Sequence, residues 1–248
     1  MRYFIQLAYN GKNYHGWQKQ LNAHSVQTEI ENKLALLIKP EVELLGCGRT
    51  DTGVHAKQFY AHFDTENIFE PEKVCMQLNA MLPKDIVIHT IFSVQPEQHA
   101  RFSATYREYE YWISTKPNPF LFELSALFTK PLDVEAMNSA AQLLLNHTDF
   151  ECFSKVHTDV KTFNCKISTA NWEFRADHML VFTIRADRFL RNMVRAIVGT
   201  LLDIGYHKIN EAQFVRILES KSRSEAGFSV PAQGLFLTGL GYDFIRLE

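Results

Sequence analysis

The sequence predicts an α+β protein made of two ferredoxin-like β-α-β-β-α-β units in tandem, with a mixed, mainly antiparallel sheet. Two observations lead to this fold class. Apolar residues alternate in some segments and recur at helical spacing in others, and the resulting order of strands and helices appears twice along the chain. With 248 residues, 46% of them hydrophobic, the chain can also bury a substantial core.

Four strands and two helices are predicted in the first half. Arg2–Tyr9 alternates as a strand, and a glycine-punctuated loop follows at 11–20. A helix then runs to a stop at Pro40, with its apolar positions at Val26, Ile30, Leu34, Leu37 and Ile38. The remaining elements are strands at 42–47 and 58–63, a helix at Pro71–Met81 that Pro83 ends, and a strand at Ile86–Val94.

The second half repeats this order. A strand at 105–114 precedes a helix that Asp133 can cap, with apolar positions at Val134, Met137, Ala141, Leu144 and Leu145. Strands at 166–174 and 179–185, helices at 188–203 and 211–218, and a strand at 235–240 complete the set.

We place the boundary between two domains, 1–104 and 105–248, just before the strand at 105. We expect the helices to cover one face of the sheet. Folds of this kind often hold extended RNA strands on the open face or at the seam between two units. By this analogy we expect an RNA-binding cleft between the units.

The composition limits the kinds of partner. The formal net charge is −2, with 26 Lys and Arg against 28 Asp and Glu. General positive charge therefore cannot drive nucleic-acid binding, which would need a local basic patch. The first residues show no signal-peptide pattern, and no apolar run reaches the length of a membrane span. We expect a cytoplasmic protein that makes no membrane contact.

The four cysteines are expected to be free thiols in a reducing cytosol, because their spacing matches no zinc or redox pattern. Cys152 and Cys165, with His147 and His157 nearby, come nearest to a metal site. They lack the C-x-x-C or H-x-x-x-H spacing of such sites, so we expect no bound metal.

Residues 46–56 combine three glycines with reactive side chains, directly after an apolar strand-like run. Asp51 is either a turn residue that caps backbone N–H groups or an ionised nucleophile whose pKa a nearby cation lowers. Arg49 and the glycines favour the second reading, because a simple turn needs one glycine and no cation. His55 is a candidate general acid or base, or equally a hydrogen-bonded structural histidine.

Arg188, Arg191 and Arg195 form the local basic patch. In a helix at 188–203 they fall within about 60° of each other, since successive residues turn by about 100°. This patch is either a solvated face or a stripe that binds phosphates, with one arginine able to reach a buried carboxylate. The face expected to pack on the sheet carries Leu190, Met193, Val194, Ile197 and Leu201.

Two aromatic segments are further candidates. On the strand at 105–114, Arg107, Tyr109 and Tyr111 share one face, and Glu108, Glu110 and Trp112 share the other. The tyrosines fit either ordinary sheet packing or stacking on an unstacked base. The loop at 9–18, with Tyr9, Tyr14 and Trp17, is either a cover loop or a binding surface.

No phosphate-binding loop, dinucleotide fingerprint, nucleophile elbow or zinc-hydrolase motif occurs, so those classes of enzyme lack support. Residues 48–56, however, closely resemble the signature of the bacterial tRNA pseudouridine synthase A (TruA) family. Further blocks that resemble this family follow in the right order, at 14–18, 99–105, 107–111, 149–150, 189–195 and 226–235. Several independent blocks in order make the resemblance specific.

The resemblance implies an isomerase that converts uridine to pseudouridine in the anticodon arm of tRNA, at positions 38, 39 and 40. Such enzymes work as homodimers and need no cofactor or metal. By position, it implies Asp51 as the nucleophile, Tyr109 as the residue that stacks on the flipped base and takes part in proton transfer, and Arg195 as the partner of Asp51. The predicted substrate-binding residues are Tyr109, Arg49, His55, Arg188 and Arg191.

Two alternatives stay open. One is a pseudouridine synthase of the same fold that acts on a different RNA target, because target choice depends on the shape of loops and grooves. The other is a non-catalytic RNA-binding module. The joint presence of Asp51, Tyr109 and Arg195 speaks against the second alternative.

Overall fold

The computed structural model describes residues 1–38, 42–155, 160–175 and 178–245. The chain divides into two compact units. The first consists of Met1–Thr105 together with the residues from Leu237 onward, and the second is Tyr106–Phe236. Within the described residues, no helix is both long enough and apolar enough to cross a membrane.

The first unit follows the predicted order β-α-β-β-α-β. Its elements are β1 at Arg2–Tyr9, α1 at Val26–Ile38, β2 at Leu45–Gly46, β3 at His55–Asp64, α2 at Pro71–Met81 and β4 at Ile86–Val94. The alternating strand β1 lies between β3 and β4 and pairs with both in antiparallel fashion. The short β2 pairs with β3, also antiparallel. Phe4, Ile5 and Leu7 of β1 are fully buried at the centre of this unit.

Among its described residues, the second unit contains three long strands and three α-helices. Its elements are β5 at Ala104–Ser114, β6 at Ala126–Leu127, α3 at Val134–Leu143, β7 at Ile167–Arg175, β8 at Met179–Ala186, α4 at Met193–Gly205 and α5 at Glu211–Ser220. Strand β8 pairs antiparallel with both β5 and β7. The two-residue β6 runs parallel to β5. Asp133 caps α3 as predicted, accepting a hydrogen bond from the N–H of Ala136 at 2.9 Å.

The last strand, β9 at Leu235–Tyr242, belongs mainly to the first unit and lies next to β3. The N–H of Leu240 donates to Oε1 of Gln58 at 2.8 Å, and the Tyr242 ring lies 5.2 Å from that of Tyr60. Our predicted ranges had placed all of 105–248 in a second domain. The difference has a physical cause, because the apolar side chains of β9 complete the core of the first unit.

The α+β class, the mainly antiparallel pairing and the order of the elements are therefore confirmed. Three boundaries differ from the prediction by three residues or more. The strand expected at 42–47 is only Leu45–Gly46, β3 begins at His55 rather than 58, and α4 begins five residues later than 188. The predicted stop of α1 at Pro40 lies outside the described residues. The RNA-binding cleft stays a prediction.

Candidate active site

Asp51 lies in the loop of residues 47–54, which connects β2 to β3 in the first unit. Its side chain is half-buried, and its backbone carbonyl accepts a hydrogen bond from the N–H of Val54 at 3.1 Å. Gly53 has a φ of +77°, which a glycine adopts without steric cost. Arg49 is exposed in the same loop. The glycine-rich segment therefore makes a tight turn that presents Asp51 between two paired strands.

Thr50 ties this loop to the N-terminal part of the chain. Its side-chain Oγ1 lies 2.8 Å from the hydroxyl oxygen of Tyr9 and accepts a hydrogen bond from the backbone N–H of Trp17 at 3.1 Å. The threonine is only 8% exposed, so both contacts are shielded from water. On the other side of Asp51, the N–H of Gly53 donates to the carbonyl of Tyr14 at 3.3 Å. Residues on both sides of Asp51 are thus held by the segment 9–17.

Gly16 allows this close approach. Its φ is +84°, and a Cβ at this position would lie 2.2 Å from the carbonyl oxygen of Thr50. No larger residue fits there without moving the Asp51 loop. Tyr14 and Trp17 are buried rather than displayed at the surface. Of the two readings of the loop at 9–18, the structure therefore favours a cover that supports Asp51.

His55 is the first residue of β3, and its ring is 1% exposed. Its Nδ1 accepts a hydrogen bond from the backbone N–H of Gly11 at 3.1 Å. A ring nitrogen in this role carries no proton, so the other nitrogen holds the proton of the neutral ring. This arrangement favours the structural alternative for His55, whereas contact with a substrate stays a prediction.

In the second unit, two of the three tyrosines of β5 are site candidates, and their surroundings differ. Tyr109 is half-buried, and its ring meets that of Phe189 edge to face at 5.2 Å. Tyr111 is fully buried, and its hydroxyl donates to the carbonyl of Pro231 at 2.8 Å. Burial raises the pKa of Tyr111, an effect that the nearby cation of Arg195 opposes. Tyr111 therefore stays protonated inside the core, and of these two tyrosines Tyr109 is the one with ring surface left for a base.

The prediction that Arg188, Arg191 and Arg195 share one helix face is wrong. Helix α4 begins at Met193, so of the three only Arg195 is helical. The cause is Asn192, which adopts the left-handed conformation with a φ of +66° and interrupts the helical path. Asparagine visits this conformation more readily than most residues. The five apolar residues predicted to pack inward are nonetheless buried, namely Leu190, Met193, Val194, Ile197 and Leu201.

The three arginines differ in exposure and in what holds them. Arg191 is exposed, and its carbonyl accepts a hydrogen bond from the N–H of Lys155 at 3.1 Å. Arg188 is half-buried, with a long contact of 3.4 Å from Nη1 to the carbonyl of Thr162. Arg195 is also half-buried, and its Nε donates to the carbonyl of Val230 at 2.7 Å. The guanidinium of Arg195 is thus held by a short hydrogen bond to a backbone carbonyl.

The cysteines give no support to a metal site. All four lie in the described residues, and no disulfide joins any of them. Burial raises the pKa of the Cys152 and Cys165 thiols to about 12, which disfavours the thiolate that a metal requires. His157 lies outside the described residues. Across the ranges that are described, no three His, Cys, Asp or Glu side chains are grouped so as to hold a metal ion.

The predicted site residues fall into two groups. Asp51, Arg49 and His55 lie close in sequence in the first unit, and the other four lie in the second, namely Tyr109, Arg188, Arg191 and Arg195. The expected pairing of Asp51 with Arg195 stays a prediction.

Sequence reasoning did not identify the supports of either group, which are chiefly Thr50 with Tyr9, and Val230. Two features of the sequence pointed to these supports, namely Gly16 and the block at 226–235. Both are hard to explain as ordinary loop residues.

Comparisons with known proteins agree with these blocks. A family model described as tRNA pseudouridine synthase matches residues 140–243. A tRNA pseudouridine synthase A from Parabacteroides distasonis is 52% identical over 246 residues, which cover 97% of this chain and 96% of that protein. The protein of the same name from Bacteroides fragilis is 48% identical, over 97% of this chain and 96% of its own length. For the one from Acetivibrio thermocellus, the identity is 40%, over 95% of this chain and 97% of its own. With this identity over nearly its whole length, the chain belongs to the tRNA pseudouridine synthase A family, a family of isomerases.

Proposed function

We propose that this protein converts uridine to pseudouridine in the anticodon stem-loop of tRNA, at positions 38, 39 and 40, with Asp51 as the nucleophile. The observation that carries the proposal is the Asp51 loop. A half-buried carboxylate is held by neighbours on both sides, through Thr50 and Gly53, whereas an ordinary surface turn needs no such support. The relatives' shared name supports tRNA as the substrate.

The reaction is an isomerisation and needs no other reactant. Asp51 attacks the target nucleotide and the N1–C1′ bond breaks. The uracil then turns and rejoins the sugar through C5, and the bond between the nucleotide and Asp51 breaks, which restores the carboxylate. The proton on C5 goes to solvent, and N1 gains a proton. A base in a stem must first leave the stack, which costs a few kcal/mol. Nucleophilic attack requires an ionised carboxylate, which a paired cation favours.

The other residues have supporting roles in this proposal. Tyr109 stacks on the flipped base, which is worth roughly 1–3 kcal/mol and offsets part of the cost of unstacking. Arg195 pairs with the Asp51 carboxylate and keeps it ionised. Arg49, Arg188 and Arg191 contact phosphates. His55 is buried against Gly11 and supports the Asp51 loop from inside, and its contact with RNA stays a prediction.

Two further expectations belong to the proposal. With a net charge of −2, one chain offers only local basic surface to a polyanion. A homodimer, as the resemblance implies, would combine two such surfaces on one tRNA. We also expect the protein to act in the cytoplasm, where tRNA is processed.

Release of tritium from tRNA labelled at C5 of uridine tests the role of Asp51. The wild-type protein should release the label at a rate proportional to pseudouridine formation. Asp51→Asn keeps the size of the side chain but removes the nucleophile, so it should bind tRNA with near wild-type affinity and release no label. Release by this variant at the normal rate would exclude Asp51 as the nucleophile. A wild-type protein that binds tRNA without releasing label would favour the non-catalytic module.

Mapping the modified positions tests the target. A set of tRNA transcripts that carry uridine at position 38, 39 or 40, singly and together, should gain pseudouridine at these positions and nowhere else. Transcripts with cytidine at all three positions serve as the matched control and should stay unmodified. Modification confined to another arm of the tRNA would support the same-fold synthase with a different target.

A further inference from the structure

The side chain and the backbone of Arg195 are both tied to one residue. Nε of Arg195 donates to the carbonyl of Val230 at 2.7 Å, and the N–H of Val230 donates to the carbonyl of Arg195 at 3.2 Å. Val230 is fully buried, so the Val230 end of both bonds is held inside the protein. Because the guanidinium group is planar, holding Nε sets the direction of its two Nη nitrogens. The position of Val230 therefore decides where Arg195 can act.

Val230 ends a segment, residues 226–230, that packs directly on helix α4. A Cβ on Gly199 would lie 1.8 Å from the carbonyl oxygen of Phe228, so the segment touches the helix backbone there. The N–H of Gly227 donates to Oγ1 of Thr200 at 2.9 Å. At the start of the helix, Nδ2 of Asn192 donates to Oγ of Ser229 at 2.6 Å. The segment thus follows α4 over two turns and reaches Arg195 in a defined position.

Arg223 holds this segment from the other side. Its Nη1 donates to the carbonyls of Ala226 and Gly227 at 3.3 and 3.0 Å, and its Nη2 donates to Oγ of Ser229 at 2.9 Å. All three acceptors are neutral and belong to the one segment. The side chain is half-buried. An arginine that made a surface ion pair would instead meet a carboxylate, so the contacts of Arg223 indicate a brace for the segment.

We propose that Arg223 is a positioning residue of the pseudouridine synthase reaction. It shapes the segment 226–230, and through Val230 it orients Arg195. This inference rests on the proposed function, and in particular on the role given there to Arg195. Arg223 itself needs no contact with the RNA, because its hydrogen bonds go to the backbone and side chain of the segment.

The test compares the single-turnover rate of tritium release at saturating tRNA with the dissociation constant for tRNA. In Arg223→Ala the rate should fall about 10- to 100-fold, since a misplacement of about 1 Å can cost a factor of this size. The dissociation constant should change less than about threefold. Arg223→Lys should be intermediate, because an ammonium cannot reproduce the planar fork that reaches three acceptors. Arg216→Ala removes an exposed arginine from α5 and should match the wild type.

A double variant separates positioning from general stability. In the Arg195→Ala background, Arg223→Ala should cause no further loss of rate, because the residue that it positions is gone. An additional loss of similar size would overturn the inference, as would a wild-type rate in Arg223→Ala, or a fall in tRNA affinity that matches the fall in rate. If Arg223→Ala does not fold, Arg223→Lys and Ser229→Ala carry the test, and each should slow the rate at unchanged affinity.

Failure of the inference differs from failure of the proposed function. If Arg195→Ala is slow while Arg223→Ala keeps the wild-type rate, only the positioning role is lost. If Arg195→Ala itself turns over normally, the proposed role of Arg195 is wrong, and the positioning role of Arg223 fails with it.

Discussion

The hydroxyl of Thr50 serves two partners that lie far from it in sequence. Tyr9 is 41 residues away and Trp17 is 33, yet both meet the same Oγ1 in a site closed to water. The donor from Trp17 is a backbone N–H, which has no freedom to turn elsewhere. Removing the hydroxyl therefore leaves buried polar groups without their partner, next to the residue proposed to carry out the chemistry.

Thr50→Val is expected to lower both stability and activity, because valine has the shape of threonine without the hydroxyl. A buried polar group that loses its partner costs about 1–3 kcal/mol of unfolding free energy. Turnover should also fall, since the loop that presents Asp51 loosens, while tRNA affinity should stay near that of the wild type. Urea unfolding and tritium release measure the two effects. Thr50→Ser keeps the hydroxyl and is the control, so equal losses in both variants would show that the hydroxyl is not what matters.

At the scale of the element, the ends of a helix could be predicted to within a residue or two where local sequence signals set them. Helix α2 starts at Pro71 and ends at Met81, with Pro83 just beyond, and α3 starts after its cap at Asp133. Helix α4 differs because apolar spacing continues smoothly through 188–203. The left-handed turn at Asn192 is stabilised by Ser229, which lies 37 residues further on. No pattern confined to the helix itself contains that contact.

The same distinction explains which parts of the candidate site could be predicted. Asp51 and Arg195 could be singled out because the residue types around them are unusual, and the resemblance implied their roles. Their supports are ordinary residues, such as Thr50 and Val230, whose importance comes from contacts across long stretches of chain. The block at 226–235 stands out in the sequence, but no residue type in it shows that the carbonyl of Val230 holds a guanidinium.

At the scale of the whole molecule, the order of the strands and helices along the chain does not decide which of the two units each of them joins. The final strand could be predicted as a strand from its apolar run. Its place beside β3, however, follows from contacts such as that between Leu240 and Gln58, 182 residues apart. The tandem repeat of elements therefore predicts their order, whereas the unit that the last strand joins depends on contacts between distant parts of the chain.

The stability of the first unit should depend on the protonation of His62. This ring is buried on β3, its Nδ1 accepts the N–H of Ala100 at 3.2 Å, and its centroid lies 4.4 Å from that of His99. Burial lowers the pKa of His62, and together with the nearby cationic forms of His99 and Arg2, against the opposing charge of Asp64, it brings this pKa from 6.5 to about 4. Burial also lowers the pKa of His99. Both rings therefore resist protonation in the folded state.

The sign of the pH effect follows from this. Below pH 6.5 the unfolded chain binds a proton on His62, whereas the folded chain binds it only near pH 4. The free energy of unfolding therefore decreases as the pH falls from 6.5 to 4. The loss due to His62 alone should approach about 3 kcal/mol at pH 4. Asp64, with its pKa lowered by Arg2, contributes at a lower pH and does not obscure the window.

Urea unfolding followed by ¹⁹F NMR on protein labelled with 5-fluorotryptophan measures this loss. Trp17 is the only tryptophan of the first unit, and the other two, Trp112 and Trp172, belong to the second. The unfolding midpoint of the Trp17 signal should fall steadily between pH 6.5 and 4. His62→Asn keeps an acceptor for the Ala100 N–H but cannot titrate, so its midpoint should fall distinctly less over the same range. An unchanged slope in this variant would show that the acid sensitivity arises from another group.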